Sequence, residues 1–274
     1  MKAFALWKRG LRTGLRSIKR EPILGLKRLV LPVSYWRTAE FSYVWEQLAA
    51  VPGMRVLDLG SPKDLALFLA RDVGCEVVAV DILESAIDVS RRYAAATGRE
   101  GSGPGRVRSE VQDGRALPYL DDSFDAAFSV SVLEHIPGDG DSVALRELVR
   151  VVRPGGVIVV TTPFDLRHRD TFVERTVYER SSERGDPVFF ERHYDHATLR
   201  SRLLDTPGTR VEDLQLWGER GIEMERLMGR LGRARALLSP FEAFLATSVL
   251  RPSNGTSESV KPKAAFFTLR KLGA

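Results

Sequence analysis

The chain has 274 residues, is 43% hydrophobic, and carries 41 Lys and Arg against 36 Asp and Glu, which is enough apolar material for one sizeable core with additions. No apolar stretch approaches the roughly 18–20 residues that a membrane-spanning helix needs, and the N-terminus lacks the continuous apolar region of a secretory signal. The single cysteine, Cys75, excludes an internal disulfide and fits a reducing, cytoplasmic setting, where it fills the core at the start of a strand.

The positive charge is concentrated at one end. Ten Lys and Arg lie between Met1 and Arg37 against one acid, Glu21, and the rest of the chain is close to balanced. Phe4, Trp7, Leu11, Leu15 and Ile18 recur at helical spacing, which predicts an amphipathic helix with a cationic face ending near Pro22. A short amphipathic piece follows through Ile23, Leu26, Leu29 and Val30. After Tyr35-Trp36-Arg37-Thr38, a helix through Phe41, Val44, Trp45 and Leu48 leads into the body. Residues 1–50 are thus expected to form a basic helical cap, and residues 51–274 the main domain.

Strands are predicted at Arg55–Leu59, Glu76–Val80, Val107–Val111, Phe124–Val130 and Val157–Thr161. Helices alternate with them at about Lys63–Asp72, Glu84–Thr97 and Asp139–Val152. Gly98–Gly105 reads as an exposed loop, and Arg153-Pro154-Gly155-Gly156 as a helix stop and turn. This alternation implies an α/β fold, a Rossmann-like doubly wound and mainly parallel sheet covered on both faces. Phe164–Phe190 is charged and irregular and is expected to be an insertion over the strand ends. A helix near Asp195–Leu204, a strand near Val211–Trp217, two helices within Gly218–Leu250 split at Ser239-Pro240, a polar loop at Arg251–Ser259 and a last strand at Ala264–Arg270 complete the pattern.

Val56 to Asp81 is the most informative segment. A buried strand stops at Asp58-Leu59-Gly60, a helix follows, and a second strand ends in an acid, Asp81. A βαβ unit of this kind suits an adenosine-containing cofactor: the glycine turn lets backbone approach the ligand, and the terminal acid accepts hydrogen bonds from ribose hydroxyls.

Four blocks in order, VLDLG (Val56–Gly60), VVAVD (Val77–Asp81), Gln112–Ile136 and Leu145–Pro163, resemble class I S-adenosylmethionine-dependent methyltransferases, in particular the type 11 group that includes quinone-biosynthesis enzymes. The resemblance implies S-adenosyl-L-methionine as cofactor. It places Asp58, Gly60, Ser61 and Pro62 at the methionine end and Asp81 on the ribose, with Ile82 packing on adenine. Asp113 is placed at the adenine amino group with Gly114 and Arg115 beside it, and Ser129, Val130 and Ser131 line the methionine moiety.

The turn departs from the family's D-x-G-x-G-x-G pattern. Gly60 is followed by Ser61-Pro62-Lys63, so one glycine survives where backbone normally approaches the cofactor, and retained binding is expected because the acids are intact. The departure also argues against a nicotinamide dehydrogenase. His135, just after the fourth strand, is the candidate general base, although a histidine that merely orders the turn is the plainer reading. His193, Asp195 and His196 hint at a metal, but Asp195 suits a helix N-cap and no third ligand is evident, so no metal is expected.

The N-terminal helix either packs on its own domain or lies on an anionic membrane through residues 1–20, with nucleic acid disfavoured because the body has no basic stripe. Insertions at 164–190 and 218–250 should set acceptor choice. The apolar series Leu227, Met228, Leu231, Leu237, Leu238, Phe241, Phe244 and Leu245 suggests a small-molecule acceptor of hydrophobic or lipid-like character. The competing reading is a non-catalytic methyltransferase-like protein that binds a partner or membrane through its basic helix.

Overall fold

Near-continuous apolar runs build the centre of the structure. A computed structural model describes residues 3–60, 64–174, 186–253 and 260–273. Strands β1 (Arg55–Leu59), β2 (Glu76–Asp81), β3 (Val107–Val111), β4 (Phe124–Val130) and β5 (Val152–Pro163) pair in parallel in the order 3-2-1-4-5. Val77, Val78, Ala126, Ala127 and Phe128 are wholly buried, as strands covered on both faces require. The covering helices are α4 (Asp64–Phe68), which continues as a π-turn to Val73, α5 (Glu84–Ala96) and α6 (Gly140–Val151). β1 sits between β2 and β4, so the chain leaves it in opposite directions and opens a crevice at the carboxyl ends of these strands.

Strands β6 (Arg169–Val173) and β7 (Val188–His193) form a separate antiparallel ribbon. This corrects the expectation of an irregular insertion over 164–190, of which residues 175–185 lie outside the described residues. After α7 (His196–Leu199) come β8 (Thr209–Arg220), α8 (Met224–Arg230), α9 (Glu242–Val249), β9 (Leu250–Ser253) and β10 (Val260–Lys271). The expected loop at Arg251–Ser259 therefore opens with the end of a strand. β10 lies antiparallel between β5 and β8, and β8 pairs onward to β9, giving eight strands in one sheet among the described residues. The expected turn at 153–156 is accommodated inside β5 instead: the register with β4 jumps from Phe124–Val152 to Ala126–Val157, and Gly155 adopts φ +77°.

Three N-terminal helices, α1 (Ala3–Ser17), α2 (Pro22–Val30) and α3 (Tyr35–Leu48), lie against this layer. α3 begins at Tyr35, so Trp36 and Arg37 belong to the helix rather than to a lead-in. α1 packs on its own domain through Leu6, Thr13 and Ser17, all fully buried. Gly10 and Gly14 let α2 approach closely; a Cβ at Gly10 would stand 2.1 Å from the Pro32 carbonyl oxygen. Leu6, Phe41 and Val44 share one apolar cluster with Val56, Val77 and Phe128, so the core runs through residue 50 without a break. Cys75 is buried at the start of β2.

Candidate active site

β1 ends at Leu59 and turns at Gly60, whose φ is +66°. A Cβ there would lie 2.6 Å from Val132 Cγ1, so conformation and space both call for glycine. The Gly60 N–H donates to the Val80 carbonyl and fixes the turn over β2. Where β2 ends, Asp81 accepts the Leu83 N–H at 2.9 Å and so shapes the entry to α5. Past β3, Asp113 accepts from the Arg115 backbone N–H (2.9 Å) and is gripped by the Arg115 guanidinium at 2.7–3.1 Å. A Cβ on Gly114 would stand 2.7 Å from Leu59 Cδ1, which brings this loop against the β1 turn.

These strand ends enclose a cavity of about 300 Å³. Of the residues expected from sequence it brings together Gly60, Asp81, Ile82, Asp113, Gly114, Arg115, Val130, Ser131 and His135. Asp58 and Ser129 do not line it: both are buried beneath its floor, and the Ser129 hydroxyl donates to the Leu59 carbonyl at 3.2 Å. The expected Ser61 and Pro62 lie outside the described residues. Sequence reasoning missed Leu83, Ala86, Gln112 and Ile136, ordinary residues that reach the wall only because of where their elements stop.

A second cavity of about 640 Å³ adjoins the first, and Arg37, Ser131 and His135 line both. Ser131 is a non-glycine residue at φ +51°, a strained turn held on several sides. Its N–H donates to the Thr161 carbonyl. Its hydroxyl accepts from Arg37 Nη1 at 2.9 Å and donates to Glu40 Oε1 at 2.6 Å. Glu40, almost wholly buried, also accepts from Arg37 (2.6 Å) and from the Thr161 hydroxyl (3.0 Å). The cap helix α3 is thereby tied to the ends of β4 and β5.

Three further groups give the second cavity its chemistry. Burial pushes the Glu134 carboxyl well above the usual range, reinforced by the nearby Glu40 and Glu191 charges. The Tyr35 hydroxyl is buried beside Glu219, and burial with that charge raises its pKa. His135 Nδ1 lies 2.9 Å from the Phe190 carbonyl. A carbonyl can only accept, so Nδ1 carries the proton and Nε2 the lone pair. Burial also lowers the His135 pKa, which favours the neutral ring.

The Phe190 carbonyl is positioned by a buried clamp on the same strand. Fully buried Asp141, at the start of α6, accepts from Arg192 (2.7 Å), Tyr194 (2.7 Å) and Arg202 (2.6 and 2.9 Å). Burial alone would raise the Asp141 pKa, but the Arg202 and Tyr194 hydrogen bonds and the two guanidinium charges hold it below the usual carboxylate range.

Other expectations resolve into local structure. Asp195 caps α7, accepting the Thr198 N–H at 2.9 Å, while His193 Nε2 lies 2.9 Å from Glu191 and the His196 ring packs edge-on against Phe164. No cluster of three or more metal-ligating side chains occurs among the described residues. Of the apolar series between 218 and 250, only Met228 lines the second cavity; carboxylates, guanidiniums and Lys261 and Lys263 supply much of its wall. The apolar series thus contributes Met228 alone to that wall.

The first cavity fits an adenosyl cofactor. Two carboxylates, Asp81 and Asp113, stand on successive strand ends to accept from ribose hydroxyls and an amino group. Apolar Ile82, Leu83 and Ala86 offer a surface for a base, and the Gly60 turn leaves backbone bare.

Comparison with known proteins agrees. Residues 57–160 match the family model described as a methyltransferase domain. The chain is 35% identical over 118 residues to the methyltransferase GfsG of Streptomyces halstedii, covering 43% of this chain and 40% of that one. It is 36% identical over 127 residues to demethylmenaquinone methyltransferase of Clavibacter sepedonicus, covering 46% of each. A probable S-adenosylmethionine-dependent methyltransferase of Mycolicibacterium smegmatis is 31% identical over 186 residues, 66% of this chain and 61% of that one. The chain spans about half the length of the curated relatives it matches. Among solved structures, the cyclase SpnF superimposes with a TM-score of 0.59 at 21% identity over 88% of this chain and 85% of that one. A protein of Bacillus halodurans described as a putative methyltransferase follows at 0.55 and 16% over 86% and 100%; both show the shared fold. Over residues 57–160 the chain is thus similar to the methyltransferase domain that this family model describes and that these relatives carry.

Proposed function

We propose that this protein transfers a methyl group from S-adenosylmethionine to a small-molecule acceptor whose reacting atom carries a proton. The observation that carries the reading is the pair of adjoining cavities that share Arg37, Ser131 and His135. One cavity suits the cofactor, the other an acceptor, and the shared residues line both.

When bound, S-adenosylmethionine supplies an electrophilic methyl group on a positively charged sulfur. Asp81 would hold the ribose hydroxyls, Asp113 the adenine amino group and Ile82 the adenine face, while the Gly60 turn and Ser131 would receive the amino-acid end. His135, with its lone pair on Nε2, takes the proton that the acceptor must lose as the new bond to carbon forms. Holding both partners in one walled space supplies orientation and keeps water out.

A hydrophobic or lipid-like body on the acceptor is supported by the demethylmenaquinone-named relatives, with only the polar reacting end reaching His135. The same reading places the protein in the cytoplasm, with residues 1–20 in peripheral contact with the inner membrane face. The non-catalytic alternative gains no support, and the meeting of Asp81, Asp113 and Gly60 in one cavity favours the enzyme reading.

Calorimetric titration with S-adenosylmethionine and with its demethylated product tests the proposal. Micromolar binding is expected, weakened on the order of 10- to 100-fold by Asp81→Ala, which removes charge-assisted hydrogen bonds. No heat at millimolar ligand would refute it.

A further inference from the structure

The fold leaves a cationic, apolar face uncovered at the joint of three segments. On α1 the residues at exposed positions, Phe4, Lys8, Arg12, Leu15 and Arg16, fall within about one third of the helical circumference, opposite the buried Leu6, Gly10, Thr13 and Ser17, and exposed Lys19 follows in the turn just after the helix. α2 adds exposed Ile23 (69%), Leu26 (58%) and Val30 (40%) beside Lys27. Glu21 is the one acid in residues 3–30, and it is engaged by Arg92.

The third segment comes from more than 200 residues away. Trp7 Nε1 donates to the Pro240 carbonyl at 2.8 Å, and the Phe244 ring packs against Trp7 (5.8 Å) and Phe4 (6.5 Å). Phe241, in the short helical turn that touches α2, is 57% exposed, and Leu237 just before it is 79% exposed. The α1 helix itself therefore both packs on its domain and keeps a free outer face; the two readings of the N-terminus are compatible.

We propose that this composite face, formed by α1, α2 and residues 237–244, docks on an anionic lipid bilayer. Aromatic and aliphatic side chains among Lys and Arg on one helical face are the pattern that seats in a headgroup layer, where buried apolar area and attraction to anionic lipid add. Charge selects the occupant. A second copy of the chain would bring Lys8, Arg12, Arg16 and Lys19 against their own equivalents, a like-charge arrangement that opposes association. The docked segment continues into the wall of the acceptor cavity, because Met228 and Arg235, a few residues before Leu237, line it. Docking thus brings that wall near the bilayer, from which a lipid-soluble acceptor would be drawn.

Co-sedimentation of the full chain with vesicles of phosphatidylcholine, or of equal parts phosphatidylcholine and phosphatidylglycerol, tests this without any methyl acceptor or cofactor. The expected result is at least tenfold tighter binding to the anionic vesicles, falling as salt is raised. Neutralising Lys8, Arg12, Arg16 and Lys19 together to Gln should weaken binding on the order of 1,000-fold. Phe241→Ser should weaken it about tenfold, which a docking surface confined to α1 would not show. These residues are exposed, so melting curves should stay close to the parent's. Equal binding to both vesicle types, no binding, or parental binding by Phe241→Ser would overturn the proposal. So would a dimer that dissociates in Leu26→Asp, or capture of an oligonucleotide in place of vesicles.

Discussion

Asp141→Asn keeps the shape of the side chain and removes the charge that two guanidiniums share. In the parent, Asp141 makes contacts of 2.6–2.9 Å to Arg192, Tyr194 and Arg202 while fully buried. Breaking a buried ion pair from one side costs about 3–5 kcal/mol, because the partner charge is left without compensation. Here Arg202 is 26% exposed and can rehydrate, and Arg192 retains Asp170 at 3.2 Å and the Gly138 carbonyl at 3.0 Å. The loss should therefore fall at the low end, about 3 kcal/mol, or a drop in Tm of roughly 6–12 °C for a domain of this size. Urea unfolding and thermal melts measure it. The sign with pH follows from the depressed Asp141 pKa: its stabilisation is present above the unfolded carboxyl value near 3.9 and is lost as pH falls through the folded value. The gap between parent and variant should thus close in acid. Because Arg192 lies two residues after Phe190 on β7, nitrogen NMR of the His135 ring should also show a weakened Nδ1–H bond and a pKa moving further down, since the Phe190 carbonyl favours the protonated ring. A loss under about 1 kcal/mol, with the His135 signals unchanged, would refute the assignment of the clamp as a support for this histidine.

His135→Gln should lower methyl transfer by about 10²–10⁴ while leaving S-adenosylmethionine affinity within a few-fold, measured by turnover and calorimetry once an acceptor is found. With the parent, the rate should decline only as pH falls below the ordinary histidine range, since burial depresses the His135 pKa. Glu134→Gln should raise Tm more at pH 8 than at pH 5: the raised Glu134 pKa means the unfolded chain loses its proton first, so the parent loses stability as pH climbs above about 4.3. Gly60→Ala, at φ +66° and with Val132 Cγ1 2.6 Å from the new methyl, should cost at least about 1 kcal/mol in urea unfolding; a neutral result would show that the turn has slack.

The parallel half of the sheet and the cofactor-side acids were legible because their signals are local. Apolar runs marked β1, β2 and β4, and the position of Asp81 and Asp113 after a strand needed no knowledge of distant partners. The acceptor side was not legible for the opposite reason. Glu40 meets Ser131 across 91 positions and Thr161 across 121, and nothing in the helix around Glu40 announces a buried carboxylate. The β6–β7 ribbon escaped notice because Arg169, Asp170, Glu191 and Arg192 interrupt the alternation that marks a strand. One of these finds a partner outside the ribbon: Arg192 pairs with Asp141, and with Asp170 across the ribbon. The apolar series at 218–250 read as an acceptor lining because polarity alone does not say which way a side chain faces; Leu237 and Phe241 face solvent.

The place of β10 has a consequence for how the molecule is made. Its residues Ala265, Phe266, Phe267 and Leu269 are wholly buried, and it is the strand that joins β5 to β8. A ribosome delivers it after every other strand, so β5 presents an open hydrogen-bonding edge throughout translation of the segments between, and the β8–β9 hairpin has nothing to dock on. At ordinary elongation rates the 51 residues from the end of β8 to the end of β10 take roughly 3–10 s to emerge. During that interval the nascent chain is open to edge-to-edge pairing with its neighbours on a polysome. Expression yield should accordingly depend on chaperone supply and on growth temperature more than the stability of the finished fold would suggest.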